Sequence, residues 1–391
     1  MPQLPSSPLS NQAVVIGASA AGLHTATLLA RGGMPVLLFD QQERFQPLAR
    51  TLIVTPRLRE ALGGVPRAAV VNATPVLQMF SPGASATVRL AQADWVVERE
   101  TLMPWLLLQA RQAGVEFLSG YRYQGVEPDH GGVYVRLESP TGRLERVRTG
   151  TLIGADGVGS QVARAVYAQD KPFPTVYNLQ ATLPLPRDVT PDTTQIWFDP
   201  ALTRYFFWLI PSSPQRAVLG LVADDEAQAR RSLARFLGAH AWQPLSYQGA
   251  AVPLYAGRGL PVRQVHGAQV YLVGDAAGQV KVTTVGGLVT GLRGAGAAAR
   301  AILRRTGLGR ELRALQRELE GHRLIRGVLN RFGPQEYDEL LRLLNARARQ
   351  ALAVHTRDEA LRVLAASLAA QPRFVWLAAR SLLRRARVDH E

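Results

Sequence analysis

Ala13-Val14-Val15-Ile16-Gly17-Ala18-Ser19-Ala20-Ala21-Gly22 opens the stretch that decides the fold, and Val36-Leu37-Leu38-Phe39-Asp40 closes it. Between them Leu23 to Ala30 has helical composition and stops at Arg31-Gly32-Gly33. Short continuous apolar runs of this kind are buried strands, so the order reads strand, tight turn, helix, strand, one βαβ unit. The turn is G-x-G-x-x-G with Ser19 at the second glycine. Gly17 permits the tight turn, Ser19 is small enough for backbone to approach a pyrophosphate, and Gly22 lets the helix pack on the strand. Ala20 and Ala21 lie at the helix start, where free N–H groups and the dipole favour an anion. Asp40 lies 18 residues beyond Gly22, at the end of the second strand, where an acid accepts hydrogen bonds from adenosine ribose hydroxyls. With these parts in register the stretch predicts a dinucleotide site. A nucleophile elbow shares the strand, turn, helix order, but here it lacks its second motif glycine and any placeable triad partner.

The remainder of the 391 residues bounds the chemistry. The length accommodates two domains, or one dominant domain with a long insertion. There is no cysteine, which excludes disulfides, thiolate catalysis, iron–sulfur ligation and cysteine-based zinc sites. No apolar run approaches the roughly 18 residues of a spanning helix. Met1 to Gln12 is Pro- and Ser-rich without the basic start or apolar stretch of an export signal, which predicts a disordered lead-in and a cytoplasmic location. A net charge of +15 raises the question of nucleic acid or anionic lipid. Yet 43 of the 45 basic residues are arginine, Lys171 and Lys281 being the lysines, and they are spread along the whole chain. Without zinc-finger spacing or an aromatic RNA-binding signature, no nucleic-acid partner is expected. The seven histidines have no metal-ligand spacing, Asp224-Asp225 reads as a helix cap, and no metal is assigned. His24, on the first helix, reads as structural.

Further along, Val76 to Val97 alternates weakly, Arg99 to Ala113 has helical spacing, and strands are predicted at 115–118, 121–127, 132–137 and 151–153. Residues 172–255 are rich in Pro, Thr and aromatics, with strands at 195–198, 205–210 and 217–222. Val270 to Val273 is another buried strand, and beyond Gly286 nearly everything is helical. The expected fold is α/β: a doubly wound Rossmann-type nucleotide domain formed by 11–75, 98–170 and 256–306, a substrate domain on an antiparallel sheet at 76–97 and 171–255, and a helical C-terminal region at 307–391.

Ile153-Gly154-Ala155-Asp156-Gly157-Val158-Gly159-Ser160 resembles the Asp-Gly segment of the para-hydroxybenzoate hydroxylase-like flavoproteins. Tyr271-Leu272-Val273-Gly274-Asp275-Ala276-Ala277-Gly278 resembles their Gly-Asp segment. The resemblance implies bound FAD, with Asp156 beside the nucleotide and Gly274-Asp275 presenting an acceptor to the ribityl hydroxyls. Arg99 looks like the superfamily's arginine near the flavin, its alternative being a solvated charge at a helix start. Gln41 and Arg50 join the implied cofactor set. The run Gly278 to Arg293 is more specific and is similar to geranylgeranyl reductases, where Gly286, Gly287 and Leu288 would bring backbone N–H groups to the pyrophosphate or a flavin carbonyl. Aromatic hydroxylases of this fold carry a histidine and proline there instead.

Phe206-Phe207-Trp208-Leu209-Ile210-Pro211 looks like the reductases' substrate-facing stretch, making Phe206, Trp208 and Ile210 candidate substrate contacts. Halogenases share a similar segment, and core packing is the plainer reading of the pair. The family's cysteine-containing segment is here Pro47 to Thr55, so that cysteine's role does not carry over. The implied activity is reduction of carbon–carbon double bonds in a polyprenyl substrate, with NAD(P)H or another donor binding transiently. No acid is named. Flavin-dependent oxygenation or halogenation, carotenoid cyclisation and a non-enzymatic flavoprotein scaffold stay open as alternatives. Arg373 to Arg387 reads as a basic amphipathic helix, packed on the protein or lying peripherally on the inner face of a membrane.

Overall fold

A computed structural model describes residues 11–170, 172–304 and 309–388 of the chain. The lead-in expected at the N-terminus falls largely on residues 1–10, outside the described residues, as does Lys171. A six-stranded sheet runs in the order Val262–Val265, Ala268–Leu272, Thr151–Gly154, Ala13–Ile16, Val36–Asp40, Glu116–Ser119. All neighbours are parallel except the antiparallel edge strand Val262–Val265. Strands buried on both faces are continuously apolar, and Ala13–Ile16 and Val36–Phe39 are fully buried for this reason. Helices Ala20–Arg31, Arg99–Gln112 and Leu288–Leu303 share one apolar core with one face of this sheet. A three-stranded sheet, Arg122–Asp129, Gly132–Glu138 and Leu144–Thr149, packs on the other face together with helix Gln161–Tyr167. The doubly wound fold is thus assembled from distant parts of the chain.

An eight-stranded sheet has the order Ser246–Pro253, Thr175–Pro184, Arg216–Ala223, Phe207–Pro211, Thr193–Trp197, Val70–Ser81, Ala84–Glu98, Thr51–Val54. It is antiparallel apart from one parallel pair, Thr193–Trp197 with Val70–Ser81. Thr51–Val54 and the start of Val70–Ser81 already pair in it, although their position in sequence grouped them with the nucleotide region. Strand alternation explains the sheet's two sides. Phe207 and Leu209 turn towards helix Glu226–Ala239 and its Leu233 and Phe236, while Phe206, Trp208 and Ile210 face the opposite way with Val96, Val252, Val280 and Val285.

Among the described residues five helices follow, from Arg310–Leu329 to Arg373–Val388. Pro334–Arg342 and Ala346–Val354 pack against the long hairpin through Met79, Ala86, Val88, Leu341 and Ala348. Among the described residues no helix is long and apolar enough to cross a membrane.

Candidate active site

Three neighbouring parallel strands end side by side, because Ile16, Gly154 and Leu272 share a register row. The loops that leave them therefore converge. Gly17 N donates to Phe39 O at 2.7 Å, Ala155 N to Ile16 O at 2.7 Å, and Val273 N to Gly154 O at 3.0 Å. Crevices beyond the carboxyl ends of such strands are where open α/β sheets bind ligands. The chain leaves too little room there for side chains. Gly17 has a φ of 103°, and a Cβ on it would lie 2.5 Å from Ala155 O. A Cβ on Gly22 would lie 2.1 Å from Gly17 O. On the neighbouring loop Gly274, with φ 63°, approaches Ala21, and helix Leu288–Leu303 in turn comes within 3.1 Å of Gly274 Cα at the Gly291 Cβ position.

Each residue singled out from sequence can be placed. Ser19 is the N-cap of the first helix, its Oγ accepting from Gly22 N at 3.1 Å, so the small residue that replaces glycine also satisfies a helix N–H. Ala20 and Ala21 begin that helix. Asp40 ends its strand and accepts from Ala18 N at 2.7 Å and Gln42 N at 2.8 Å, which ties the fingerprint turn to the second strand and leaves lone pairs on both oxygens. Gln41 follows on the cavity rim. Asp156 lines the cavity but is committed to its own chain. It accepts from Ser160 Oγ at 2.5 Å, Gln161 N at 2.8 Å and Val162 N at 3.3 Å, capping helix Gln161–Tyr167.

Asp275, Arg50 and Arg99 form a charged cluster deep in the cavity. Burial raises the Asp275 pKa, and the two guanidiniums oppose the rise. Burial likewise lowers both arginines; Arg99 adds to the effect on Arg50, while Asp275 works against it on each. The Asp275 carboxylate accepts no hydrogen bond from another described residue, and Arg50 Nη2 is buried without a partner. Arg99 is the first residue of its helix, its own N–H donating to Arg50 O at 3.0 Å, and its half-buried side chain lines the cavity. Gly286 and Gly287 precede helix Leu288–Leu303. A Cβ on Gly287 would lie 3.2 Å from Asp275 Oδ1, so this helix start faces the charged cluster.

Phe206, Trp208 and Ile210 are at most 9% exposed and line the cavity. Gly220 on the adjacent strand makes room for the indole; a Cβ there would lie 2.3 Å from Trp208 Cζ2. The cavity measures about 1410 Å³ and continues from the glycine turn to this apolar wall.

A family model described as FAD binding domain matches residues 10–307. The chain belongs to the FAD-binding domain family. Among the curated relatives of this flavoprotein, the geranylgeranyl diphosphate reductase of Rhodobacter capsulatus is 29% identical over 278 residues, 68% of each chain. Digeranylgeranylglycerophospholipid reductase 2 of Methanothermobacter thermautotrophicus is 27% identical over 364 residues, covering 85% of this chain and 91% of that one. Among solved structures, a geranylgeranyl bacteriochlorophyll reductase-like protein from Thermoplasma acidophilum superposes with a TM-score of 0.76 at 18% identity, covering 96% of this chain and 100% of that one. The flavoprotein is thus an FAD-dependent oxidoreductase by family and has the fold the βαβ reading predicted.

Sequence reasoning gave no role to several residues of the cavity wall. Thr55, Lys281, Arg357 and Asp358 line it, and Asp94 supports them. The signal available in sequence was the rarity of lysine among the basic residues; the partners of Lys281 carried none.

Proposed function

We propose that this flavoprotein reduces carbon–carbon double bonds in a polyprenyl chain, and that its FAD lies between the glycine turn and the Asp275 cluster. The observation that carries the reading is the continuity of one cavity. Its polar end holds Gly17, Arg99 and Asp275, and its other side is the apolar wall of Leu77, Ile196, Phe206, Trp208, Ile210 and Val252. The names of the two curated relatives support the same substrate class.

The residues fit the cofactor. Gly17 to Gly22, with Ser19, Ala20 and Ala21 at the helix start, would offer backbone N–H groups to the pyrophosphate, while Asp40 and Gln41 would meet the adenosine ribose. Asp275, lacking a hydrogen-bond donor from the described residues, would accept from a ribityl hydroxyl. Gly286, Gly287 and Leu288 would approach a flavin carbonyl at the start of their helix, and Arg50 and Arg99 would balance the charge of Asp275. Bound FAD supplies the two-electron chemistry. Phe206, Trp208 and Ile210 hold the prenyl chain against it and exclude water. NAD(P)H or another carrier would reduce the flavin transiently.

Anaerobic reduction of the flavin, followed by addition of a geranylgeranyl-chain lipid or of oxygen, tests the assignment. Reoxidation by the lipid with formation of the saturated chain is expected. Reoxidation by oxygen alone, with an oxygenated or halogenated product, would replace the reading.

A prenyl substrate also favours peripheral contact with a membrane. On helix Arg373–Val388, Leu377 and Ser381 pack inward while Val375, Trp376, Leu382 and Leu383 are exposed. Arg380 stacks over Trp376 and pairs with Glu339, and the side chains of Arg384 and Arg387 lie outside the described residues. Binding to anionic vesicles that weakens with salt is expected and should fall in Trp376→Ser; vesicle binding unchanged by that substitution would place the contact elsewhere.

A further inference from the structure

Besides the charged cluster of Asp275, the cavity wall contains a second ionised group. Lys281 is 5% exposed, and its ammonium is ion-paired with Asp358, which is 0% exposed. The other Asp358 oxygen accepts from Thr55 Oγ1, and the neighbouring Arg357 pairs with Asp94 on the long hairpin. Replacing a buried ion pair by apolar residues of the same volume is often neutral or stabilising, so a buried pair at a cavity wall invites a purpose other than stability.

The position of the ammonium indicates that purpose. Val280 and Val285, on the same loop as Lys281, pack in the apolar cluster of Phe206, Trp208 and Ile210. A Cβ placed on Gly286 would lie 3.5 Å from Lys281 Cε and 3.7 Å from Nζ. The ammonium therefore lies where the apolar wall meets the Gly286–Gly287 turn. The loop is held there by Lys281 N donating to Gly286 O at 3.3 Å and Val285 N to Lys281 O at 2.8 Å, with Val285 in a left-handed conformation at φ 51°.

Residue choice adds to the geometry. The chain uses arginine for 43 of its 45 basic residues and lysine at this point. A guanidinium keeps its proton under all ordinary conditions, whereas an ammonium releases one when desolvated.

We propose that Lys281, oriented by Asp358, is the acid that protonates the double bond of the substrate. The proposal rests on the reductase reading. The π electron pair of the alkene takes the proton from Nζ, so an N–H bond breaks and a C–H bond forms. The adjacent carbon receives a hydride, with its electron pair, from reduced flavin, which is oxidised by two electrons. Lys281 is left as a neutral amine beside the Asp358 carboxylate and regains its proton from solvent. The groups facing it suit this role. Burial lowers its pKa, Asp358 and Glu318 oppose the shift, and Arg357 adds to it. His322, on the helix Arg310–Leu329, is held neutral, its pKa pushed down to about 3 by burial and then by Lys281.

The test compares the full-length FAD-loaded protein with Lys281→Met, Lys281→Arg and Asp358→Asn. With only two lysines in the sequence, protein labelled with 13C and 15N in lysine gives two side-chain NMR signals, and the Met variant identifies that of Lys281. Lys281 is expected to titrate below the ordinary lysine value, and lower still in Asp358→Asn, which removes the opposing charge. In anaerobic single turnover with a geranylgeranyl-chain lipid, flavin content is expected to hold in Lys281→Arg while reoxidation slows by about 100-fold or more. Wild-type protein whose reduced flavin ignores the lipid overturns the reductase reading and the proposal together. Wild-type turnover that Lys281→Arg matches to within about threefold overturns the Lys281 assignment alone. A Lys281 signal that titrates at or above the ordinary value also overturns it, and because Lys171→Arg leaves Lys281 as the one remaining lysine, this measurement decides the matter even if every Lys281 variant fails to fold.

Discussion

At the fingerprint end of the cavity the decisive contacts are backbone on backbone: Gly17 against Ala155, Gly22 against Gly17, Gly291 against Gly274. Around Lys281 they are side chain on side chain, between residues 77, 263 and 303 positions apart: Lys281 with Asp358, Arg357 with Asp94, Thr55 with Asp358. Close approach of backbone demands glycine or a very small residue, and such positions recur at short fixed spacing inside one βαβ unit. A buried ion pair demands only opposite charges, which many residues in the chain could supply. The first kind of site announces itself in sequence, and the second does not.

The largest effect should come from Gly22→Val. The added Cβ would lie 2.1 Å from Gly17 O and 2.9 Å from Ala155 Cβ, and neither the turn nor the buried strand behind it can move aside. Destabilisation above about 4 kcal/mol, with loss of bound flavin, is expected from forced overlap with tightly packed backbone. A soluble variant that retained FAD at wild-type occupancy would break the claim that backbone proximity governs this end.

A smaller loss is expected from Asp275→Ala. It removes a charged acceptor from the cavity, about 1.5–3 kcal/mol of flavin affinity, which a thermal-shift titration with FAD can read. Asp224→Ala is the control, since Asp224 is paired with Arg204 at the surface, away from the cavity. Equal flavin occupancy in the two variants would sever Asp275 from the cofactor.

The finest comparison sets one buried histidine from each region side by side. Burial, with Arg300 and Arg31 adding to it, pushes His24 on the first helix down to about 4. His322, whose Nδ1 is 2.6 Å from Thr283 Oγ1, is pushed down to about 3. Because the folded values lie below the unfolded one, the folded state binds fewer protons. Stability is therefore full above pH 6.5 and declines as the pH falls, until it levels off near pH 4 for His24 and near pH 3 for His322. Each histidine should account for about 2 kcal/mol lost between pH 7 and pH 5. Denaturant melts of His24→Gln and His322→Gln over that range should each have a shallower pH dependence than wild type. A slope unchanged in either variant would mean that histidine takes up its proton in the folded protein as readily as in the unfolded chain.

Much of the nucleotide-binding architecture was legible. Ala13–Ile16 and Val36–Asp40 were read as strands from four apolar residues each, and the strands leading to Asp156 and Asp275 were found the same way. Thr175–Pro184, Ser246–Pro253 and Leu144–Thr149 went unread because their side chains face two different surroundings and follow no single period. The mixed roles of Asp40 and Asp156 were equally hidden, since sequence marks a carboxylate but not whether backbone N–H groups already occupy it.

By itself, then, the order of residues determined the parallel sheet, the glycine turn and the family, because steric limits on backbone leave few residue types for each position. Only the tertiary structure decided that the hairpin 70–98 joins the sheet of 175–253, that Phe206, Trp208 and Ile210 wall a cavity open to the flavin motifs, and that Asp358 reaches Lys281. These depend on which surfaces meet after the chain has closed. Apolar burial selects such meetings through total area and shape, which no short window of sequence encodes.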